Sequence, residues 1–391
     1  MNNSIQPSDI REALFSGALE HWFQPKVSFL SGKISGGEAL IRWRRKDGCV
    51  LPAVAWLPIA KKHDMMQEIA TVMFPLLADN IAAICRETTD IKIAFNMDAG
   101  DLESTNIVDQ LLSAVHAGKL NPAQIEIELT ETALPRDGHA MEDNIMLLTA
   151  TGISLAMDDF GTGFSSLDTL RKLPFSTVKI DQGVVMTMQD SVKSSAIVLS
   201  SIRMAYEMGL NVIAEGVESE EVFDILQQAG CSEAQGFWIS RALPLDQFIS
   251  FVNSGKRWLA TPIGQLRHVE IDHLLWCKNI LSTVFGNSNS NMDLESVLAI
   301  SNDQTCRLGK WLEGENHSFA TMPEFLSLTG PHQEVHKAGY DLVFAARDGV
   351  SMRELQAMAV HFNRKSEALM IGLQSLEIQV LMASLNDATL A

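Results

Sequence analysis

The strongest constraint on this chain is an alternation of two hydrophobic periods. Over the first 255 residues, apolar β-rich runs at 20–29, 34–43, 91–97, 124–130, 153–158, 176–181, 211–215 and 233–238 are bounded by Gly, Pro, Asn and Asp. From the second run onward each leads into a segment of helical period, among them 64–85, 106–117, 140–151 and 191–208. Eight such units predict a (β/α)8 barrel, in which continuous apolar strands are buried between an inner core and a ring of helices. Only the turn region Ser31-Gly32-Lys33 separates the first two runs. A parallel crossover needs about a dozen residues or more, so this connection predicts an antiparallel hairpin. The expected fold is α/β, a TIM-like (β/α)8 barrel with an antiparallel first strand, over residues 18–253.

After Phe251-Val252-Asn253-Ser254-Gly255 the strand signal stops. Helical segments are expected at 263–285, 293–313, 322–346 (interrupted at Gly330-Pro331) and 351–384, with a turn at 286–291. This predicts an all-α four-helix bundle as a second domain, 266–391. With 46% hydrophobic residues among 391, the chain can bury two cores, and disordered and fibrous classes are excluded. Forty-eight Asp and Glu against 30 Lys and Arg give −18, a balance that repels polymeric nucleic acid and anionic lipid. An anionic substrate then needs a bound cation. No secretory leader is legible at the N-terminus, and no stretch is expected to approach the roughly 18 apolar residues of a membrane span, so a cytoplasmic protein with no membrane partner is expected. The five cysteines are an odd number, widely spaced, and are expected as free thiols.

In a barrel the C-terminal ends of the strands converge on one mouth, where chemistry concentrates. The run ends carry Glu38, Asn96, Glu128, Asp158, Asp159, Lys179, Asp181, Glu215 and Gln235. One acid at a strand end is as readily a helix cap as a catalytic group. Five or more facing one mouth repel each other unless cations intervene. Oxygen donors without His or Cys select hard ions, Mg²⁺ or Mn²⁺, and the adjacent pair Asp158-Asp159 suits two of them. Two such ions with Lys179 beside them fit attack of water on a phosphodiester. A glycoside hydrolase, the competing barrel chemistry, needs two carboxylates but not Asn96, Lys179 or so many acids.

These residues resemble the EAL family of cyclic di-GMP phosphodiesterases. Gly37-Glu38-Ala39-Leu40-Ile41-Arg42 is similar to the name-giving motif. Glu128-Leu129-Thr130-Glu131, Asp158-Asp159-Phe160-Gly161-Thr162-Gly163-Phe164-Ser165-Ser166-Leu167, Lys179-Ile180-Asp181, Glu215-Gly216-Val217-Glu218 and Gln235-Gly236-Phe237 are similar to the rest. The resemblance implies hydrolysis of cyclic di-GMP to pGpG with two Mg²⁺ or Mn²⁺ ions. Glu38, Asn96, Glu128 and Asp158 would hold one ion, and Asp158 with Asp159 the other. Glu215 would activate water as base or through the second ion, Lys179 would hold water or phosphate, and Gln235 would orient the water. Gln24, Leu40 and Arg42 would contact the dinucleotide, and Glu131 would anchor the Asp158–Ser166 loop. Two places depart from the family pattern: the segment Leu57-Pro58-Ile59-Ala60-Lys61-Lys62 has Lys where Glu is frequent, and Ala242 stands where Pro is usual. The intact ligand set favours an active enzyme over a non-catalytic receptor for the dinucleotide.

In the helical region His332-Gln333-Glu334-Val335-His336 places two imidazoles at i and i+4 on one helical face. Cys306 and His273 fall on the two preceding helical segments, each shortly before a Trp. A His₃Cys set across a bundle suits tetrahedral Zn²⁺. The pieces Cys306-Arg307-Leu308-Gly309-Lys310-Trp311 and His332–His336 resemble the chemoreceptor zinc-binding domain, which implies one Zn²⁺ on His273, Cys306, His332 and His336. His268, His317 and His361 lie outside that motif and are expected at the surface, and Cys277 as a small packed hydrophobe. Both domains resemble modules that self-associate, so a homodimer is expected. A zinc- or oxidant-sensing scaffold is the reading in which the bundle, and not the barrel, carries the function.

Overall fold

Hydrogen bonding closes the strands of the N-terminal half into a ring. The computed structural model describes residues 5–88, 91–103, 105–130, 139–160, 166–258, 262–285, 303, 306–313 and 319–390. Its strands are β1 (Leu19–Ser28), β2 (Ile34–Arg44), β3 (Val50–Pro52), β4 (Lys92–Asn96), β5 (Ile125–Thr130), β6 (Ser154–Phe160), β7 (Thr177–Ile180), β8 (Asn211–Ala214), β9 (Glu233–Gln235) and β10 (Leu243–Pro244). From β2 through β4, β5, β6, β7 and β8 to β9 every pairing is parallel. β1 closes the ring by pairing antiparallel with both β2 and β9. The eight-stranded barrel with one reversed strand is therefore as expected. The short β3 and β10, which no sequence run predicts, extend the ring outside β2 and β1. They are too short for a periodic signal.

Reversal of β1 has a geometric consequence. Along β2 the chain climbs toward the mouth, whereas along β1 it descends, so Gln24 pairs with Glu38 and Lys26, two residues later, pairs with the deeper Gly36. Glycines make the β2 start possible. A Cβ on Gly36 would lie 2.3 Å from Lys92 O of β4, and one on Gly37 would lie 2.7 Å from the Phe248 ring. The outer layer is packed by residues such as Phe23 and Phe248, whose ring centroids are 5.4 Å apart. Helix Pro7–Phe15, which precedes the expected bound at residue 18, buries Ile10, Ala13 and Leu14 in one cluster with Leu19, Trp43 and Trp56.

Helix Met66–Glu87 corrects the expectation about apolar stretches. Its 22 residues are long and apolar enough to cross a membrane by length and composition. Ile69, Met73, Phe74, Leu77, Ala78, Ile81 and Ile84 are instead buried in the structure. A barrel helix packed along its length on a parallel sheet carries that much apolar surface without a membrane.

The chain divides near residue 260 into two compact units. The second is helical, with Pro262–Phe285, Arg307–Glu313, Pro323–Leu326, Thr329–Arg347 and Met352–Leu390. Of the helix expected at 293–313, residues 293–302 lie outside the described residues, as does the turn at 286–291. The break expected at Gly330-Pro331 falls at a helix start: Pro331 sits in the first turn, where its missing N–H has no intrahelical acceptor to lose. All five cysteines are free thiols.

Candidate active site and metal centre

The barrel site is built around one ammonium group. Lys179 on β7 is fully buried, and its Nζ lies 2.7 Å from Glu128 Oε2, 2.7 Å from Glu215 Oε1, 3.2 Å from Asp158 Oδ1 and 3.6 Å from Glu38 Oε2. The expected acids thus converge from β2, β5, β6 and the residue after β8. Glu38 accepts from Asn96 Nδ2 at 2.8 Å and from Gln235 Nε2 at 2.6 Å. Gln235 Nε2 also reaches Gln24 Oε1 at 3.3 Å.

Asp158 and Asp159 are sequence neighbours, which a regular strand would point to opposite faces. The β6–β7 register shifts between Met157 and Phe160, and Asp159 takes a left-handed φ of 58°. That irregularity breaks the strict alternation of β6 at Asp158 and Asp159. The Asp159 amide donates to Asp158 Oδ1 at 3.0 Å.

Electrostatics divide the carboxylates. Burial alone would push Glu128 up, but Lys179 and Lys26 hold it down at about 2. Glu215 is pushed up to about 8 by burial, with Lys179 opposing and Asp158 and Glu38 adding. Glu38 is also raised, by burial and then by Glu128. Lys179 stands well above its ordinary value: burial opposes its charge, and the surrounding carboxylates outweigh it.

Sequence reasoning missed Lys26. It is buried on β1, with Nζ 2.8 Å from Glu128 Oε1 and 3.6 Å from Glu126 Oε2. Glu126, also missed, accepts from Thr177 Oγ1 at 2.9 Å. A rule that looks to the C-terminal strand ends passes over a residue deep on a reversed strand. The available signal was a lysine inside the apolar run Trp22-Phe23-Gln24-Pro25-Lys26-Val27.

The remaining expected contacts lie at the rim. Leu40 lines an apolar cavity of about 340 Å³ together with Asn96, Met97, Met73 and Phe95. Arg42 is half-buried and donates from Nη1 to its neighbour's carbonyl, Ile41 O, at 3.1 Å. Lys61, in the segment that departs from the family pattern, has a local partner: Nζ pairs with Asp98 Oδ2 at 3.0 Å, two residues beyond Asn96. Glu131 and residues 161–165 of the Asp158–Ser166 loop lie outside the described residues.

Whether this donor set fits metal is decided by charge. Glu38, Glu126, Glu128, Asp158 and Glu215 gather around two buried ammonium groups, and Gln235 Oε1 is buried without a hydrogen-bond partner among the described residues. Excess negative charge on oxygen donors suits a hard divalent cation.

A different centre forms in the helical unit. The ligand atoms of Cys306, His332 and His336 all lie within 4.8 Å of one another, and Cys306 Sγ is 3.2 Å from His332 Nε2. The Gly309 amide donates to Cys306 Sγ at 3.1 Å, which opposes the upward push that burial gives the thiol. Trp276 packs on His336 with ring centroids 4.2 Å apart. Burial, followed by the nearby His336, lowers His332 to about 4. Burial, then His336 and His332, lowers His273 to about 3. Neutral imidazoles beside a thiol suit Zn²⁺. His273 is not one of the three clustered ligands: its Nε2 sits 3.0 Å from Ser366 Oγ and 3.5 Å from Cys277 Sγ. Cys277 is buried as expected. His268 corrects the sequence reading, since it is 5% exposed on helix Pro262–Phe285, whereas His361 is exposed as expected. His268 follows the buried Gly264 by one turn, on a side of the helix away from the Leu266, Val269 and His273 face, so helical phase alone does not announce its burial. His317 lies outside the described residues.

The fold and site thus define a barrel with one reversed strand in which acids from several strands meet a buried lysine. The chain belongs to the EAL domain family, whose family model matches residues 8–242. Residues 273–343 match the model of the chemoreceptor zinc-binding domain. Among curated proteins, the chain is 31% identical over 244 residues to the cyclic di-GMP phosphodiesterase RocR of Pseudomonas aeruginosa, covering 62% of each. It is 30% identical over 259 residues to an uncharacterized signaling protein of Caulobacter vibrioides, covering 66% of this chain and 32% of that one. Among solved structures, the MucR phosphodiesterase in complex with cyclic di-GMP is 31% identical, with a TM-score of 0.58, over 62% of this chain and 98% of that one. The chain thus spans about a third to three fifths of the length of these two curated relatives.

Proposed function

We propose that this chain is a cyclic di-GMP phosphodiesterase that releases 5′-pGpG and that its helical unit is a zinc-binding regulator. The observation that carries the first part is the convergence of Glu38, Glu128, Asp158 and Glu215 on Lys179. Glu38, Asn96, Glu128 and Asp158 would hold one Mg²⁺ or Mn²⁺, and Asp158 with Asp159 a second. Such ions lower the pKa of water and neutralise charge developing on a phosphodiester. Lys179 then holds water or phosphate in place, while Gln235, anchored on Glu38, directs its free carbonyl oxygen toward the water. Glu215 would activate that water as base or through the second ion. Gln24, Leu40 and Arg42 contact the dinucleotide at the rim, and Glu131 anchors the loop that follows Asp159.

Support for the regulatory part is the clustering of Cys306, His332 and His336; His273 would complete the zinc set by leaving its contacts with Ser366 and Cys277. The test of the catalytic reading is incubation with cyclic di-GMP and Mg²⁺ or Mn²⁺, with the product identified by mass. Release of pGpG is expected. Substrate that is bound but never cleaved, with either ion, assigns the chain to the non-catalytic receptors instead. Glu215→Gln keeps the shape of the site and removes a charge, so it should bind cyclic di-GMP while turnover collapses.

A further inference from the structure

The proposed chemistry leaves one buried charge without a role. Lys26 is 2% exposed and lies opposite Gly36 of β2 on one side and Gln235 of β9 on the other, one layer deeper in the barrel than the Gln24–Glu38 pair. A buried ion pair is weak as a stabiliser, because apolar residues of similar volume serve a core as well or better. A lysine kept in the barrel interior therefore suggests a use for its charge or geometry. The geometry is specific. Glu128 is fully buried, and its two oxygens are divided between two ammonium groups: Oε1 lies 2.8 Å from Lys26 Nζ and Oε2 lies 2.7 Å from Lys179 Nζ. Lys179 also touches Glu38, Asp158 and Glu215, so Oε2 is the oxygen on the side of the catalytic acids. Lys26 instead reaches Glu126, whose other oxygen is held by Thr177.

We propose that Lys26 is a positioning residue for Glu128 and sets the divalent-ion selectivity of the barrel, by engaging Oε1 so that only Oε2 is offered to a cation. This rests on the reading of Glu128 as a metal ligand. Mg²⁺ demands near-octahedral geometry from oxygens at about 2.0–2.1 Å, whereas Ca²⁺ takes more oxygens at longer range and accepts both oxygens of one carboxylate. A Glu128 pinned by one oxygen suits the smaller ion. Released from Lys26, it can turn both oxygens to the larger.

The test uses the full chain with Lys26→Met and with Lys26→Met/Glu126→Gln. The double variant removes the carboxylate that the single change would strand, and the Gln side-chain oxygen can still accept from Thr177, so it tests the proposal even if the single variant fails to fold. Binding of Mg²⁺ and of Ca²⁺ is measured by calorimetry, which needs no turnover. The ratio of Mg²⁺ to Ca²⁺ affinity is expected to fall about tenfold, the lower end of what loss of an outer-shell partner does to a metal site. At saturating Mg²⁺ the KM for cyclic di-GMP should stay within about twofold, because Lys26 makes no rim contact. Loss of charge alone would tighten both ions by one factor, so an unchanged ratio overturns the proposal. Glu128→Gln serves as the separate control: if it binds Mg²⁺ as tightly as the parent chain, the ligand reading of Glu128 has failed, which is a different result from failure at Lys26.

Discussion

Lys179 and Glu38 show how much of the barrel's chemistry rests on single side chains. Four carboxylates lie within 3.6 Å of Lys179 Nζ, and two of them, Glu38 and Glu128, are buried with it in the barrel. Lys179→Met removes the partner and leaves the acids, so urea unfolding should show a loss of about 3–5 kcal/mol, the cost of stranding a buried charge. A loss below about 1 kcal/mol would mean that the carboxylates are neutral in the parent chain. Glu38 accepts hydrogen bonds from both Asn96 and Gln235, and it is a proposed ligand. Glu38→Ala should therefore abolish cyclic di-GMP hydrolysis and leave the far-ultraviolet dichroism of the barrel in place. Turnover at the parental rate by the folded variant would contradict the assignment.

At the scale of elements, two features carry measurable consequences. The first is the approach of β2 to β4 and to Phe248. A methyl on Gly37 meets the edge of a buried ring, whereas a methyl on Gly36 meets the Lys92 carbonyl, which cannot swing aside. Gly37→Ala should cost about 1–3 kcal/mol by overpacking. Gly36→Ala should cost more, and denaturant midpoints of the two variants in the reverse order would refute the account. The second feature is the inner face of helix Pro262–Phe285. Glu270 is buried there, with Oε1 lacking a hydrogen-bond partner among the described residues, and Arg267 bridges it to Glu377 at 3.9 Å and 2.7 Å respectively. Burial, then Glu377, raises Glu270 to about 7, against a partial pull down from Arg267. An acid raised on folding contributes stability that is whole below its ordinary value near 4.5 and is lost as pH rises through about 7. Glu270→Gln should thus match the parent chain at pH 5 and exceed it in Tm at pH 8. Equal Tm values at pH 8 would show that Glu270 ionises without cost.

The whole molecule joins an oxygen-lined centre in one unit to a sulfur and nitrogen centre in the other. Zn²⁺ also binds carboxylate oxygens, so the proposed regulation is tested with Mg²⁺ held constant and in excess, and with Cys306→Ala as the control for zinc acting at the barrel. Metal analysis should find about one zinc per chain, lost in Cys306→Ala, because a structural Zn²⁺ site of this kind draws on every ligand. Hydrolysis rates of zinc-loaded and zinc-stripped protein should differ. If they coincide, and Cys306→Ala behaves like the parent chain, the helical unit is a structural or localising module. Much of this organisation is legible in the amino-acid sequence by itself. Period-2 and period-3.6 patterns, a three-residue hairpin turn and carboxylates at run ends are local properties, and from them follow the eight barrel strands, the reversed β1 and the acids that meet at Lys179. What the tertiary structure alone decided depends on neighbours far apart in the chain. Lys26 and Glu128 are 102 residues apart, and only the descent of a reversed strand brings them together to divide one carboxylate between two lysines. Packing settled His268 as buried, and it made Met66–Glu87 a barrel helix, although composition alone would also allow a membrane span. Burial and cross-strand depth are properties of the assembled barrel and bundle, and no single segment encodes them.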